Sequence, residues 1–384
     1  MATIPWVPLV TAHLRPTEPT MHPAKLPLVP DYALMLTGIS CIASIFGCVV
    51  IFSTFFRFPE YRSNSRKLLL YLTIADIFTA AGNLVGIVRY YIVFTVHGSV
   101  VSDCNNQSIL CRAQSYVTTV SNLSSFFWMC VISFYFIVAV VKTTETAERI
   151  MVASHVICWG LPVIIVSVAL GFNILGEDLS YTSGGWCWIS ECQQLSRGTK
   201  LAWMLVTGKF WEFATYIILI INYALLKFVV WRRRFQGNWP QGANYLSHND
   251  KMFVFVPIIL IVLRIWGTVK FILSSIYLEE NVVGNDIYTG QQVLTVLQGI
   301  GDSGQGFWNF ILFCVLTEDI RKKVFSRHRL SDNYVSVDNN SIGSVSSSGS
   351  DTDGPMLQPG PSPQLSSLAS NVRGYNSMNS NHVT

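Results

Sequence analysis

Seven stretches of this chain are long and apolar enough to cross a lipid bilayer, and no other feature restricts its fold so tightly. They run at about residues 34–56, 66–94, 111–141, 151–173, 200–231, 252–278 and 290–316. A hydrocarbon core about 30 Å thick needs about 20 mostly apolar residues per crossing helix. Inside lipid the backbone has no water to bond, so each stretch is expected to be a helix. Composition agrees: 51% of the 384 residues are hydrophobic and only 12% are charged, against about 25% in soluble domains. The expected architecture is therefore an all-α membrane protein, a seven-transmembrane helix bundle. Residues 1–33 lack a basic start followed by an apolar core, so no cleaved leader is expected and the first span serves as the insertion signal.

Basic residues set the orientation. Arg57, Arg62, Arg66, Lys67, Lys142, Arg149, Lys227, Arg232, Arg233, Arg234, Lys251, Arg321, Lys322, Lys323, Arg327 and Arg329 fall on one side, sixteen in all. Only Arg15, Lys25, Arg197 and Lys200 fall on the other. The N-terminus is then outside and the C-terminus cytoplasmic. The net charge of +4 reflects this topology and gives no reason to expect nucleic acid as a partner.

Compartment sorts the nine cysteines. Cys41, Cys48, Cys130, Cys158 and Cys314 lie within spans, where thiols pack as apolar groups. Cys104, Cys111, Cys187 and Cys192 lie outside, where disulfides persist. A Cys111–Cys187 bridge ties the loop "SGGWCWIS" (183–190) across the top of the bundle as a stapled lid, with Trp186 and Trp188 packed beneath it. The alternative is a pair of interfacial tryptophans beside a free thiol. Cys104 with Cys192 is the leftover pair. Asn106-Gln-Ser108 is an external glycosylation sequon. Asn122-Leu-Ser124 lies inside a span and Asn339-Asn-Ser341 in the cytoplasm, so neither counts.

Polar residues inside spans are costly and face the bundle interior. In the seventh span Thr295, Gln298, Asp302, Gln305 and Asn309 recur at helical spacing on one face. The second span has Thr73, Asp76 and Asn83, and the third Ser115, Thr118, Asn122 and Ser125. Gly299, Gly301, Gly304 and Gly306 allow close helix approach. Asp76, Asn83, Asn122, Glu212, Arg264, Asp302 and Asn309 form a candidate intramembrane network that holds the bundle together, switches it, or both. Arg264 is expected to pair with Asp302 or Glu212, because an unpaired buried charge is very costly; Lys209 pairing with Glu212 is the competing arrangement. Arg89, Lys209 and Lys270, with Gln298, form a candidate vestibule for an anionic small ligand.

The segments "RKLLLYLTIADIFTAAG" (66–82), "NLSSFFWMCVISFYFIV" (122–138), "GGWCWI" (184–189), "WMLVTGKFWE" (203–212), "VPIILIVLRIWGTVKF" (256–271) and "LQGIGDSGQGFWNFILFCVLTEDIRKKV" (297–324) occur in one order. Together they resemble the slime-mould cyclic-AMP-receptor-like family of seven-transmembrane G-protein-coupled receptors, and most closely an orphan animal branch of it. The resemblance spans about residues 34–327. Two other receptor classes fit less well. The rhodopsin-like motifs are missing, since the third span ends "AVVKTTETAE" and Asn309 is followed by Phe310. With no lysine in the seventh span, a retinal Schiff base has no anchor. Residues 1–33 contain no cysteine, so the ectodomain of the secretin receptors is not expected.

The resemblance implies coupling to a heterotrimeric G protein from the plasma membrane. It also implies that Cys111 and Cys187 are the family's helix-three and loop cysteines. Cyclic AMP is not carried over to this chain. A small seven-helix transporter is the alternative, but spans one to three show no similarity to spans five to seven. Enzymatic chemistry is not expected: no catalytic residue, metal site or cofactor is indicated, and His155 is a lone histidine within a span. Arg232, Arg233 and Arg234 open the third inner loop as contacts for a G protein or for anionic lipid. The expected domains are 1–33, a short extracellular N-terminus; 34–316, the receptor bundle; 317–329, an amphipathic juxtamembrane helix; and 330–384, a disordered cytoplasmic tail. Serines beside acids at 344–354 make the tail a candidate kinase substrate and arrestin contact.

Overall fold

The structure is a computed structural model that describes residues 29–59, 62–96, 108–141, 144–178, 183–190, 195–235, 255–277, 285–317 and 320–321. All of them lie in the first of the two units into which the chain divides, Met1–Arg329. The expected juxtamembrane helix lies almost entirely outside the described residues, and the tail wholly so.

Among the described residues there are nine α-helices. They are α1 (Asp31–Arg57), α2 (Asn64–Tyr90), α3 (Ile109–Val141), α4 (Thr144–His155), α5 (Leu161–Gly171), α6 (Arg197–Met204), α7 (Phe210–Phe235), α8 (Val256–Tyr277) and α9 (Asn285–Phe310). They make seven crossing rods. The fourth is α4 and α5 joined through a wide turn at Val156–Gly160, and the fifth is α6 and α7 joined through another at Leu205–Lys209. Pro162 sits in the first turn of α5. Its missing N–H and its ring break the regular ladder just upstream, which accounts for the first wide turn.

The rods extend past the apolar stretches that mark them in the sequence. The fourth begins at Thr144, the fifth runs from Arg197 to Phe235, and the seventh begins at Asn285. Hydropathy marks the lipid-facing part, whereas a helix continues through polar residues until a cap or loop ends it. Ser63 and Ser196 are such caps, accepting from the backbone N–H of Arg66 and Thr199. At the end of α1, Arg62 donates from Nε and Nη2 to the carbonyls of Phe55 and Phe56 at 3.2 and 2.9 Å, neutralising the negative helix end.

Helix α3 is central, packing against α2, α5 and α7. Its Leu123, Trp128, Met129 and Ile132 are fully buried. Phe46 on α1, Ile164 on α5 and Ile220 on α7 instead point outward and are more than half exposed. This is the inverse of a soluble protein and matches a surface bathed in lipid. Six rods exceed the length and hydropathy needed to cross a membrane. The seventh, α9, is more polar, and its Thr295, Gln298, Asp302, Gln305 and Asn309 are all buried. Its glycines admit two neighbours. A Cβ on Gly306 would meet Ser44 Oγ at 2.7 Å, and one on Gly304 would meet Ser40 Oγ at 3.0 Å, both on α1. One on Gly301 would strike the Leu263 carbonyl of α8.

Between the fourth and fifth rods the chain forms a two-stranded hairpin. Strand β1 (Leu175–Gly176) pairs antiparallel with β2 (Trp188–Ile189), Leu175 opposite Ile189 and Gly176 opposite Trp188. Ser190 N extends the ladder to the Ile174 carbonyl at 2.7 Å. Gly185 takes a positive φ of 98°, a conformation open to glycine. It lets the loop turn above the bundle. The end carrying this hairpin is called the lid end below.

Candidate functional site

The lid is held by one covalent and several polar contacts. Cys111, in the first turn of α3, is disulfide-bonded to Cys187, with Cα atoms 5.6 Å apart. The bridge expected between these two residues is therefore present. Cys187 N–H donates to Gln114 Oε1 at 2.9 Å, and Ser115 Oγ donates to the Trp188 carbonyl at 2.8 Å. Trp186 is buried against Gly86 of α2, where a Cβ would lie 2.7 Å from the tryptophan's own Cβ. Glu177, just past β1, is ion-paired with Arg89 at the end of α2. Its neighbour Asp178 accepts from the Ser183 N–H at 3.1 Å. Cys104, Cys192 and Asn106 lie outside the described residues.

Beneath the lid is a narrow cavity of about 50 Å³, room for about three waters. Ser183, Trp186 and Trp188 form its roof. The walls carry four charged side chains, Lys209, Glu212, Arg264 and Asp302, together with Asn122 and Gln298. Lys209 Nζ lies 2.7 Å from Glu212 Oε2. The other Glu212 oxygen accepts from Tyr216 OH at 2.8 Å and Thr268 Oγ1 at 2.6 Å, which ties the fifth rod to the sixth. Arg264 donates from Nη2 to Asn122 Oδ1 at 2.8 Å, lies 3.7 Å from Asp302 Oδ1 through Nη1, and stacks over the Phe126 ring at 4.9 Å. Gln298 Nε2 donates to Asp302 Oδ2 at 3.3 Å. The Lys209–Glu212 and Arg264–Asp302 pairs thus exist side by side, though the sequence set them as competitors.

The wide turn in the fifth rod builds part of this cavity. Thr207, Gly208 and Lys209 all lie within Leu205–Lys209 and all line the cavity. An extra residue in one turn rotates side chains that regular α-helical spacing would aim elsewhere, and such turns cluster at functional sites.

Deeper toward the other end lies a second, uncharged-partner network. Asp76 accepts from Ser125 Oγ at 3.2 Å and from Asn309 Nδ2 at 2.9 Å. Gln305 Nε2 donates to the same Ser125 hydroxyl at 3.1 Å, and Asn83 Nδ2 to Ser303 Oγ at 3.1 Å. The polar stripes of the second, third and seventh spans therefore do meet.

The candidate vestibule residues separate. Lys209 and Gln298 line the cavity. Arg89 does not: it faces the lid hairpin, held by Glu177 and donating to Cys187 Sγ at 3.7 Å. Lys270 is only 1% exposed, so it does not reach outward to solvent. His155 stacks edge-on against Tyr71 and Trp128, with centroids 4.3 and 4.9 Å away. Arg232 is exposed and Arg233 half-buried at the end of α7; the side chain of Arg234 lies outside the described residues.

Sequence reasoning missed Gln114, which lies one turn before Thr118 and directly precedes Ser115 at the head of the third-span stripe. It also missed Glu177, Asp178 and Thr268, for which spacing holds no signal because the hairpin fold and the crossing of rods bring them in.

Comparisons place these features. The model of the 7 transmembrane receptor (Secretin family) matches residues 32–301. The match begins where residues 1–33 end and does not bear on the ectodomain expectation drawn from them. An ectodomain and a bundle are separate modules, and the match runs over the bundle. The chain is 33% identical to G-protein coupled receptor 157 of Mus musculus, over 75% of this chain and 83% of that protein. It is 25% identical to cyclic AMP receptor-like protein A of Dictyostelium discoideum, over 41% and 37% of the two chains. The crystal structure of squid rhodopsin superposes with a TM-score of 0.57 at 13% identity, covering 86% of this chain and 92% of that one, which speaks for the fold alone. None of this supports the transporter alternative. A family match across most of the bundle, a relative at one-third identity, and seven rods under a disulfide-stapled hairpin lead to one conclusion: the chain is a multi-pass membrane protein belonging to the seven-transmembrane G-protein-coupled receptor family.

Proposed function

We propose that the chain acts at the plasma membrane with its lid end outside, taking a small ligand into the cavity beneath the Cys187 hairpin. It answers by opening its cytoplasmic end to a heterotrimeric G protein, through binding and change of shape rather than catalysis. The observation that carries this reading is the cavity itself. Four buried charged side chains from three rods converge under a covalently anchored roof, an expensive arrangement for packing alone. Helix α9 carries both Asp302 of the cavity and Asn309 of the deeper network. A shift of one rod therefore reaches both layers.

The basic bias of the loops opposite the lid supports that end as cytoplasmic. Arg232, Arg233 and Arg234 are proposed there as contacts for the G protein or for anionic lipid. Asn106 is proposed as a glycosylation site. The serines at 344–354 are proposed as kinase substrates that recruit arrestin. Two measurements test the reading. An epitope tag after Ala2 should bind antibody on intact cells, and one after Thr384 only after permeabilisation; the reverse pattern overturns the orientation. Purified receptor should accelerate GDP release from at least one purified G-protein class, and failure across all classes overturns the coupling.

A further inference from the structure

A groove of about 420 Å³ lies on the outer surface of the bundle at the lid end. Leu84, Val85, Val88, Ile92 and Val93 of the second rod line it, with Leu110 from the first turn of α3. Arg89 is the one polar residue in its wall. Val85, Val88, Ile92 and Leu110 are each close to half exposed. In a membrane that exposure is to hydrocarbon, so the groove opens to lipid and not to water. Its shape has a local cause. Helix α2 gives way at Tyr91 to a wide turn that runs to Val96, and the extra residue in one turn moves Ile92 and Val93 off the positions a regular helix would give them.

Three properties of the groove select its occupant. First, it is polar at one end only. Arg89 lies at the lid end of α2, whereas Leu84 and Val85 lie about 6 to 8 Å deeper along the helix. An amphiphile lying parallel to the lipid chains, polar group outward, matches that order. Second, the charge of Arg89 is already met. Glu177 pairs with it, and its Nη1 also donates to Cys187 Sγ. An anionic head would compete with Glu177, whereas a neutral hydroxyl needs only one of the five N–H donors of the guanidinium. Third, the wall is stiff. Val85, Val88, Ile92 and Val93 are β-branched, with restricted side-chain rotation. Such a wall holds its shape, and a rigid body loses less freedom on entering it than a flexible chain does. The volume falls in the range of small-molecule sites, about 300 to 1,000 Å³.

We propose that this groove is a sterol site, with the sterol hydroxyl on Arg89 and the ring system along Val85, Val88 and Ile92. It shares no lining residue with the cavity beneath the lid, and it stands whether or not that cavity takes a ligand. Arg89 also holds Glu177 and Cys187 of the hairpin. An occupied groove therefore braces the lid from the membrane side.

The test uses full-length receptor in phosphatidylcholine nanodiscs and a cholesterol analogue carrying a photoreactive diazirine, with the labelled peptides mapped by mass spectrometry. Labelling should concentrate in residues 84–93 and at Leu110. Excess cholesterol should displace it, and oleate, an anionic flexible chain, should not. Val88→Trp fills the groove from a position already facing lipid, and it should cut labelling of these peptides by about tenfold or more. Val85→Trp is a second filling variant with the same expected loss. Ile164→Trp, on the lipid face of α5, should leave labelling unchanged. Melting in sterol-free discs identifies a filling variant that does not fold, and the other then decides. Label spread over all rods in proportion to lipid exposure, equal displacement by oleate, or unchanged labelling in a folded filling variant would each overturn the proposal.

Discussion

Arg264 of the sixth rod is held by the third and seventh rods at once: it donates to Asn122 at 2.8 Å and lies 3.7 Å from Asp302. Phe126 covers the guanidinium at 4.9 Å. One side chain therefore fixes the sixth rod against both neighbours. If the sixth rod moves on activation, the contacts weigh on the closed state. A bias of about 1.4 kcal/mol changes the population ratio tenfold. Arg264→Gln should keep the Asn122 contact, lose the ion pair, and raise basal GDP release per receptor at the cell surface. Wild-type surface level with unchanged basal release would show that Arg264 is no lock.

The Cys111–Cys187 bridge joins residues 76 apart in sequence and positions every residue of the roof. Removing such a bridge costs about 2–5 kcal/mol. Cys111→Ser and Cys187→Ser should each sharply reduce surface expression, and the double variant should be no worse than either alone. Non-reducing peptide mapping should recover the two cysteines in one linked peptide. A full surface level for the single variants would mean that the hairpin holds its place by polar contacts.

Gly301 and Gly38 offer a matched pair. A Cβ on Gly301 would strike the backbone carbonyl of Leu263, whereas nothing lies within 4 Å of one on Gly38. Forcing an extra methyl into such a contact costs about 1–3 kcal/mol. Gly301→Ala should lower the melting temperature, and Gly38→Ala should leave it level or slightly higher. Equal effects would show that the sixth and seventh rods can part without cost.

Asp76 and Asn309 share a 2.9 Å hydrogen bond across the second and seventh rods. Each single alanine variant leaves a buried group without its partner. A double-mutant cycle on melting should therefore show coupling of about 0.6 kcal/mol or more, the size typical of hydrogen bonds between membrane helices. Strict additivity would mean that the two residues hold separate partners in the membrane.

The sequence alone determined the number of rods and which part of each is apolar enough to cross, because a bilayer leaves an apolar stretch of that length one backbone solution; where each rod begins and ends it did not determine. It also determined which face of α9 is buried. Five polar residues at alternating steps of three and four lie on one stripe, and lipid excludes such a stripe. The partners within that interior were decided by tertiary structure. Arg264 had two carboxylates in reach by depth, and only the crossing of rods gave Glu212 to Lys209, Tyr216 and Thr268 and left Asp302 beside Arg264. Arg89 and Lys270 look alike in sequence, each a cation near the lid end of a span. The hairpin separates them: it brings Glu177 to Arg89, while Lys270 Nζ is buried and forms no hydrogen bond among the described residues. Depth along a helix is a local property set by counting residues. Which side chain meets which depends on rotations such as the wide turn at Leu205–Lys209, and those arise only when the rods pack.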